Sequence, residues 1–149
     1  PMFGTAYDGM ILYWLIFLCS WGCDTCAYVV GVLFGKHKLA PTLSPKKTVE
    51  GAIGGVCGAT EAAVLSGVLA GPLFGVEGCR LWVLAVYGVV GSVLSQLGDL
   101  SFSYIKREYG LKDFGDLFPG HGGVLDRFDS VLFCAPFVEI MLYLLPVVK

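Results

Sequence analysis

Four long apolar runs divide the chain, and polar segments separate them. They extend from Met10 to about Phe34, from Ala52 to about Val76, from Leu81 to about Leu97, and from Val131 to Val148. None alternates between apolar and polar residues as a half-exposed strand does. A helix needs about 20 apolar residues to cross a bilayer, and it pairs its own backbone polar groups within the lipid. The pattern therefore predicts an all-α fold, a polytopic transmembrane helix bundle with about four spans.

Composition supports a membrane protein. Hydrophobic residues make up 56% of the 149 residues and charged residues 15%, whereas soluble domains carry about 25% charged residues. The net charge of −2 gives no reason to expect a nucleic acid. The residues before the first apolar run do not include the basic region that begins a signal peptide, and we see no sign of a cleavage site. We expect one membrane-embedded domain over residues 1–149, the C-terminal part of a longer protein.

Basic residues concentrate in two of the polar segments. One holds Lys36, His37, Lys38, Lys46 and Lys47, and the other holds Lys106, Arg107, Lys112, His121 and Arg127. Two spans separate these segments, so both should lie on the same side of the membrane. The positive-inside rule predicts that this side is cytoplasmic.

Six cysteines are present, and Cys23 and Cys26 have the spacing of a redox or metal-binding pair. Neither a second pair nor a histidine lies near them in the sequence. Most of the six occur within apolar runs, where cysteine packs as a small hydrophobic residue. This structural interpretation is the one that we favour.

The segment from Ser103 to Asp129 carries both signs of charge at high density. Its ionisable residues include Lys106, Arg107, Lys112, Asp113, Asp116, Asp126, Arg127 and Asp129. Cations bind phosphate oxygens, and carboxylates hold Mg²⁺ that binds phosphates in turn. The segment therefore indicates a phosphate or metal site.

Spacing within this segment refines the prediction. Asp126 and Asp129 are three residues apart and would share one face of a helix, although aspartates near a helix start can also be caps. The glycines at Gly122 and Gly123 follow His121 in a run that cannot be regular helix. They could present backbone N–H groups to phosphate, or they could form a turn without a function.

Three acidic residues fall at membrane depth, where an ionisable side chain is costly and suggests a function. Asp99 adjoins the charged segment, so we predict a functional role. Asp24 is interpreted in the same way, with a polar contact between helices as the alternative. Glu61 has no polar neighbours in the sequence, and we expect it to have no role in the site.

The segment from Ser44 to Gly51 precedes the second apolar run. Ser44 and Pro45 should start a turn, and Thr48 should cap the helix that follows. Lys46 and Lys47 either fix the orientation in the membrane or hold the phosphate of a lipid or nucleotide.

These motifs together resemble the phosphatidate cytidylyltransferases, also called CDP-diacylglycerol synthases. The family signature combines Ser-x-apolar-Lys-Arg, Lys-Asp, Pro-x-His-Gly-Gly and Asp-Arg-x-Asp, and Ser103 to Asp129 fits it without a gap. The resemblance also covers Asp24-x-x-Ala27-Tyr28, Ser44 to Gly51, and Gln96-Leu97-Gly98-Asp99. The chain departs from the family pattern at Cys23, Val32 and Val49, where Asn, Arg and Trp are usual.

The resemblance implies that CMP passes from CTP to phosphatidate, giving CDP-diacylglycerol and pyrophosphate in phospholipid biosynthesis. It implies Mg²⁺ as the cofactor, with Asp99 and Asp126 as its ligands, and it leaves open a second ion and a homodimer. We assign catalytic roles to Asp99, Asp126, Asp129, Lys112 and Arg127. Substrate-binding roles go to Asp24, Ser44, Lys46, Lys47, Ser103, Lys106, Arg107, His121, Gly122 and Gly123. The site should lie at the cytoplasmic face of a bacterial plasma membrane.

Three alternatives remain open on the residues. A polyprenol kinase that uses CTP would share the basic segments and carboxylates but would transfer a terminal phosphate. A transporter would use Asp24, Glu61 and Asp99 as ion ligands, and a scaffold would tolerate the loss of any carboxylate.

Overall fold

The computed structural model describes residues 13–74, 79–110 and 125–147. Along the chain follow α1 (Tyr13–Phe34), β1 (Lys38–Ala40), β2 (Ser44–Thr48), α2 (Val49–Phe74), α3 (Leu81–Glu108) and α4 (Leu125–Leu144). The helices pack against one another as a bundle, and the two short strands form a hairpin between α1 and α2. The predicted all-α helix bundle is confirmed, with this small hairpin added.

Three of the helices in the described part of the chain are long and apolar enough to cross a bilayer. The spanning segments are Tyr13–Phe34, Val49–Leu69 and Leu81–Glu108. Much of their apolar surface faces outward, as expected where lipid is the solvent. The chain is therefore an integral membrane protein. α4 carries Asp126, Arg127, Asp129 and Glu139, and a fourth span there stays a prediction.

The first helix contains a π-helical turn, Leu18–Gly22, in its N-terminal half. Within this turn and directly after it, α1 packs against α3 through small side chains. Cys19 Sγ lies 3.6 Å from the Tyr87 carbonyl oxygen, and Cys23 Sγ lies 3.8 Å from that of Ser92. Cys23 is a buried free thiol and Cys26 a half-buried one, as the structural interpretation of this pair expects.

Close helix crossings depend on residues without a side chain. A Cβ on Gly88 of α3 would lie 2.5 Å from Thr60 Cα of α2, and one on Gly51 of α2 would lie 2.6 Å from the Ala27 carbonyl oxygen of α1. Only glycine allows the backbones to approach so closely at these two positions. The glycine-rich start of α2 therefore serves packing.

The hydrophobic core lies at the end of the bundle that is remote from the hairpin. It is built from Leu15, Ile16, Cys19, Ala63, Val83, Leu84, Tyr87, Cys134, Val138 and Val147. Two hydrogen bonds tie the chain after α4 to the start of α3. Tyr87 Oη donates to the Leu145 carbonyl oxygen at 3.0 Å, and Arg80 N donates to that of Val147 at 2.9 Å.

The hairpin lies at the opposite end of the bundle. Lys38 pairs with Thr48 and Ala40 with Ser44 in an antiparallel register that contains an irregularity. The turn occupies residues 41–43, so the prediction that Ser44 and Pro45 start a turn is wrong. Proline cannot donate to a strand ladder and is largely confined to edge strands, and both strands of a two-stranded hairpin are edges. The predicted cap is confirmed, since Gly51 N donates to Thr48 Oγ1 at 3.1 Å.

Candidate active site

A pocket of about 490 Å³ opens where the hairpin meets the helices. α1 supplies Asp24 and Tyr28 to its wall, β2 supplies Lys46 and Lys47, and α3 supplies Asp99. Ser44, Gly31, Val32, Leu39, Thr48, Gly51, Ala52, Gln96, Ala27 and Leu100 complete the lining. The pocket thus joins polar and charged groups to an apolar wall at one end of the spanning helices.

An ion pair links the hairpin to α3 inside this pocket. Lys47 Nζ contacts Asp99 Oδ2, and both side chains are partly buried. Salt in the solvent screens the charges of a partly buried pair less than those of a fully exposed pair. Because the pair joins segments on either side of α2, it holds the hairpin against the part of α3 that leads to Lys106 and Arg107.

Further carboxylates gather around Asp99. The Asp24 side chain accepts a hydrogen bond from Ser130 Oγ of α4 at 3.3 Å. Asp129 Oδ1 accepts from Ser130 N at 2.7 Å and from Ser130 Oγ at 3.3 Å. The negative charge of Asp99 acts electrostatically on the carboxyl groups of both Asp24 and Asp129. Ser130 therefore connects two acidic residues that belong to different helices.

Burial and neighbouring charges set the pKa of the Asp129 carboxyl. Burial raises the pKa of the Asp129 carboxyl, and the negative charge of Asp99 raises it further. Hydrogen bonds from Ser130 and the positive charge of Lys106 act in the opposite direction but do not outweigh the burial. Like charges held together in this way favour a proton or a cation between them.

The C-terminal end of α3 carries three more of the predicted residues. Ser103 lies one helical turn beyond Asp99 and is half-buried. Lys106 acts electrostatically on Asp129, whereas Arg107 is exposed. α3 ends just beyond them with Gly110, whose φ of 67° is in the left-handed region that glycine favours.

Several predicted residues lie outside the described residues, namely Lys112, His121, Gly122 and Gly123. Asp126 and Arg127 lie at the start of α4, but their side chains also fall outside the description. Asp126 and Asp129 do occupy the same helix, as their spacing predicted. Among the described residues, no three His, Cys, Asp or Glu side chains are placed to hold one metal ion. The Mg²⁺ site therefore stays a prediction.

Glu61 lies apart from this constellation. It is exposed on the outer face of α2 and does not line the pocket. Ten residues of helix, about 15 Å, separate it from Gly51 at the pocket. The expectation that Glu61 has no role in the site agrees with this position, and the transporter hypothesis loses one of its three ion ligands.

Gln96 is a site residue to which sequence reasoning gave no role. Its Nε2 donates to the Ala52 carbonyl oxygen at 3.0 Å and contacts Cys23 Sγ at 3.2 Å. It therefore joins all three spanning helices one turn below Asp99. An amide side chain inside an apolar run was the signal that could have identified it.

The fold and the pocket define the class of protein, an integral membrane protein with carboxylates and lysines clustered at one end of its spanning helices. Comparison with known proteins gives the family. The chain belongs to the Cytidylyltransferase family, whose pattern matches residues 1–145.

Curated relatives agree with this assignment. The chain is 44% identical over 142 residues to a phosphatidate cytidylyltransferase of Staphylococcus haemolyticus, covering 94% of this chain and 52% of the relative. It is 42% identical over 142 residues to that of Staphylococcus saprophyticus, covering 95% and 52%. The Staphylococcus aureus protein is 42% identical over 140 residues, covering 93% and 51%. The chain thus spans about half the length of the curated relatives it matches.

Proposed function

We propose that the protein transfers CMP from CTP to phosphatidate and forms CDP-diacylglycerol. The observation that carries this proposal is the pocket in which Asp24, Asp99, Lys46 and Lys47 meet at one end of the spanning helices. A reaction between a nucleotide from water and a phosphate on a lipid needs a charged site at the membrane surface. The relatives that share 42–44% of their aligned residues are phosphatidate cytidylyltransferases.

The proposed reaction exchanges one phosphorus–oxygen bond for another. An oxygen of the lipid phosphate monoester attacks the α-phosphorus of CTP, and the bond between the α- and β-phosphates breaks. The leaving group is pyrophosphate. The monoester already carries most of its negative charge near neutral pH, since its second pKa is about 6, so the attack needs no general base.

Positioning and charge neutralisation supply most of the catalysis in this type of transfer. Lys47 and Lys46 lie where they can bind phosphate oxygens, and Lys106 extends the positive surface toward Asp129. Lys112, Arg127, Arg107, His121 and the two glycines after it are proposed to surround the triphosphate.

The carboxylate oxygens of Asp99 and Asp126 fit Mg²⁺, which prefers oxygen ligands and is usually bound by one or two carboxylates together with substrate phosphates. Asp99 and Asp126 would hold the ion, and Asp129 and Ser103 would support them. When bound, Mg²⁺ neutralises the charge on the reacting phosphates. A second ion and a homodimer stay predictions.

We place the site at the cytoplasmic face of a bacterial plasma membrane. Its end of the bundle carries the basic residues of the hairpin and of the C-terminal end of α3, which the positive-inside rule assigns to the cytoplasm. The curated relatives are bacterial. CTP would then arrive from the cytosol and phosphatidate from the surrounding leaflet.

Pyrophosphate release by the protein in detergent tests the proposal. CTP, phosphatidate and Mg²⁺ should all be required, and Asp126→Asn should abolish release. Glu61→Gln is the matched control, because it makes the same acid-to-amide change on the outer face of α2. Release by Asp126→Asn at the wild-type rate would contradict the proposed metal site, and formation of lipid phosphate with CDP would favour the kinase.

A further inference from the structure

We propose that Glu50 is a positioning residue that holds the hairpin in the place where Lys47 reaches Asp99. This inference rests on the proposed function only for its effect on turnover. The contacts that support it are independent of any reaction.

The Glu50 carboxylate accepts hydrogen bonds from the segment between α1 and β1. Lys36 N donates to Oε2 at 3.2 Å, and His37 N lies 3.3 Å from Oε1 and 3.2 Å from Oε2. His37 Nδ1 lies 2.6 Å from Oε1. One side chain at the start of α2 therefore binds two consecutive backbone amides and a ring nitrogen of the segment that enters the hairpin, across its base.

The hairpin needs such a tether. A two-stranded ribbon is marginally stable at best in water, and here β1 has only three residues. Its base is closed by Val49 N, which donates to the His37 carbonyl oxygen at 3.0 Å. Glu50 acts on the same residue from the other side, so His37 is fixed through both its N–H and its C=O group.

Fixing the base of the hairpin fixes the lysines. β2 runs from Ser44 to Thr48, and Lys38 at the base is paired with Thr48. Lys47 precedes Thr48 directly, so a shift of the base moves the Lys47 backbone away from α3. Its ion pair with Asp99 then breaks, while Lys46, which is already exposed, loses little.

Glu50 also has a simpler role open to it, since an acidic residue in the first turn of a helix stabilises that helix. The two roles differ in what they predict. Helix stabilisation alone changes the stability of α2 and leaves the environment of Lys47 unaltered. Positioning changes the exposure of Lys47 before any loss of the fold.

Chemical reactivity of the two neighbouring lysines distinguishes these roles. The folded protein in detergent is treated briefly with acetic anhydride, and acetylation of Lys46 and Lys47 is quantified by mass spectrometry. In the wild type, Lys47 should react at least several-fold more slowly than Lys46, because its amine is paired with Asp99. Glu50→Ala should bring the rate at Lys47 close to that at Lys46.

Two further variants keep this test decisive. Glu50→Gln keeps a carbonyl oxygen that can accept from the amides, so it should fold and give an intermediate rate at Lys47. Glu61→Ala removes an acid from the exposed face of the same helix and should leave both rates unchanged. Protection of Lys47 that is the same in Glu50→Ala, Glu50→Gln and the wild type would overturn the inference.

Turnover adds the functional consequence. Glu50→Ala should lower kcat/KM by about tenfold, the size expected when hydrogen bonds to a charged group are lost. In a protein that already carries Lys47→Ala, the same change should cost little more, whereas a purely structural role predicts that the two losses multiply. If the wild type releases no pyrophosphate but Glu50→Ala still raises the acetylation rate at Lys47, the proposed function fails and the positioning role stands.

Discussion

Replacing Gly51 with alanine adds a methyl group where α1 and α2 cross beside the pocket. The new Cβ would lie 2.6 Å from the Ala27 carbonyl oxygen, 2.9 Å from Thr48 Oγ1 and 3.1 Å from Gly31 Cα. Two of these contacts are to backbone atoms, so no side-chain rotation relieves them. The helices must therefore separate, or the start of α2 must shift.

The energetic terms have opposite signs and can be compared. Overpacking of this kind costs about 1–3 kcal/mol. The displaced Thr48 hydroxyl also caps α2, and loss of a cap costs about 1 kcal/mol. Against these, alanine favours a helix over glycine by at most about 1 kcal/mol. The net loss is about 1–3 kcal/mol, which is roughly 5-fold to 150-fold in the unfolding equilibrium.

Unfolding by SDS in mixed micelles, followed by far-UV circular dichroism, measures this difference. Gly22→Ala is the matched control, because Gly22 is helical and a Cβ there would meet nothing within 4 Å. It should be as stable as the wild type or slightly more stable. If Gly51→Ala unfolds at the same SDS fraction as Gly22→Ala, the close crossing of α1 and α2 is wrong.

Two further predictions follow from the site. Asp129→Asn should abolish turnover and yet raise the melting temperature measured without divalent cations. The pKa of the Asp129 carboxyl is raised in the folded protein, so its ionisation destabilises the fold as pH rises above the ordinary aspartate pKa of about 3.9, and the neutral amide avoids this cost. The gain should shrink as pH is lowered toward that value, and a melting temperature below that of the wild type at neutral pH would contradict the reasoning. Gln96→Leu should destabilise the bundle by about 0.5–1.5 kcal/mol through loss of the hydrogen bond to the Ala52 carbonyl. SDS unfolding measures it, and an unchanged midpoint would show that this bond contributes nothing.

Hydropathy predicted the helices well because a membrane span is defined mainly by length and apolarity. The first run was expected to end at about Phe34, where α1 ends. α2 begins at Val49, before the predicted Ala52, because Thr48 caps it and Glu50 is compatible with a first helical turn. α3 continues past Leu97 to Glu108, because a helix can extend beyond the apolar part of the membrane where its side chains become polar.

The hairpin was not predictable from the sequence in the same way. Residues 38–48 show no alternating pattern, and Pro45 is unfavourable in most strands. The base of the hairpin is held by the Glu50 side chain, which lies outside the strands and accepts hydrogen bonds from Lys36 N and His37 N. Such an arrangement depends on tertiary contacts that hydropathy does not encode.

Several side chains that line the pocket were predicted from the sequence, but the contacts between them were not. Charge at membrane depth identified Asp24 and Asp99, and the basic segments identified Lys46 and Lys47. The pairing of Lys47 with Asp99 joins residues 52 positions apart, and the bridge from Asp24 through Ser130 to Asp129 links α1 to α4. No sequence pattern specifies these pairs, since each depends on how the helices cross.

The transfer of a labelled phosphorus atom tests the central claim most directly. The protein is incubated with phosphatidate, Mg²⁺ and CTP labelled at either the α- or the γ-phosphorus, and the lipid is then extracted. Label from the α-position should enter the lipid, label from the γ-position should appear in pyrophosphate, and Asp99→Asn should abolish both while Glu61→Gln retains them. Label from the γ-position in the lipid, or unchanged transfer by Asp99→Asn, would contradict the account.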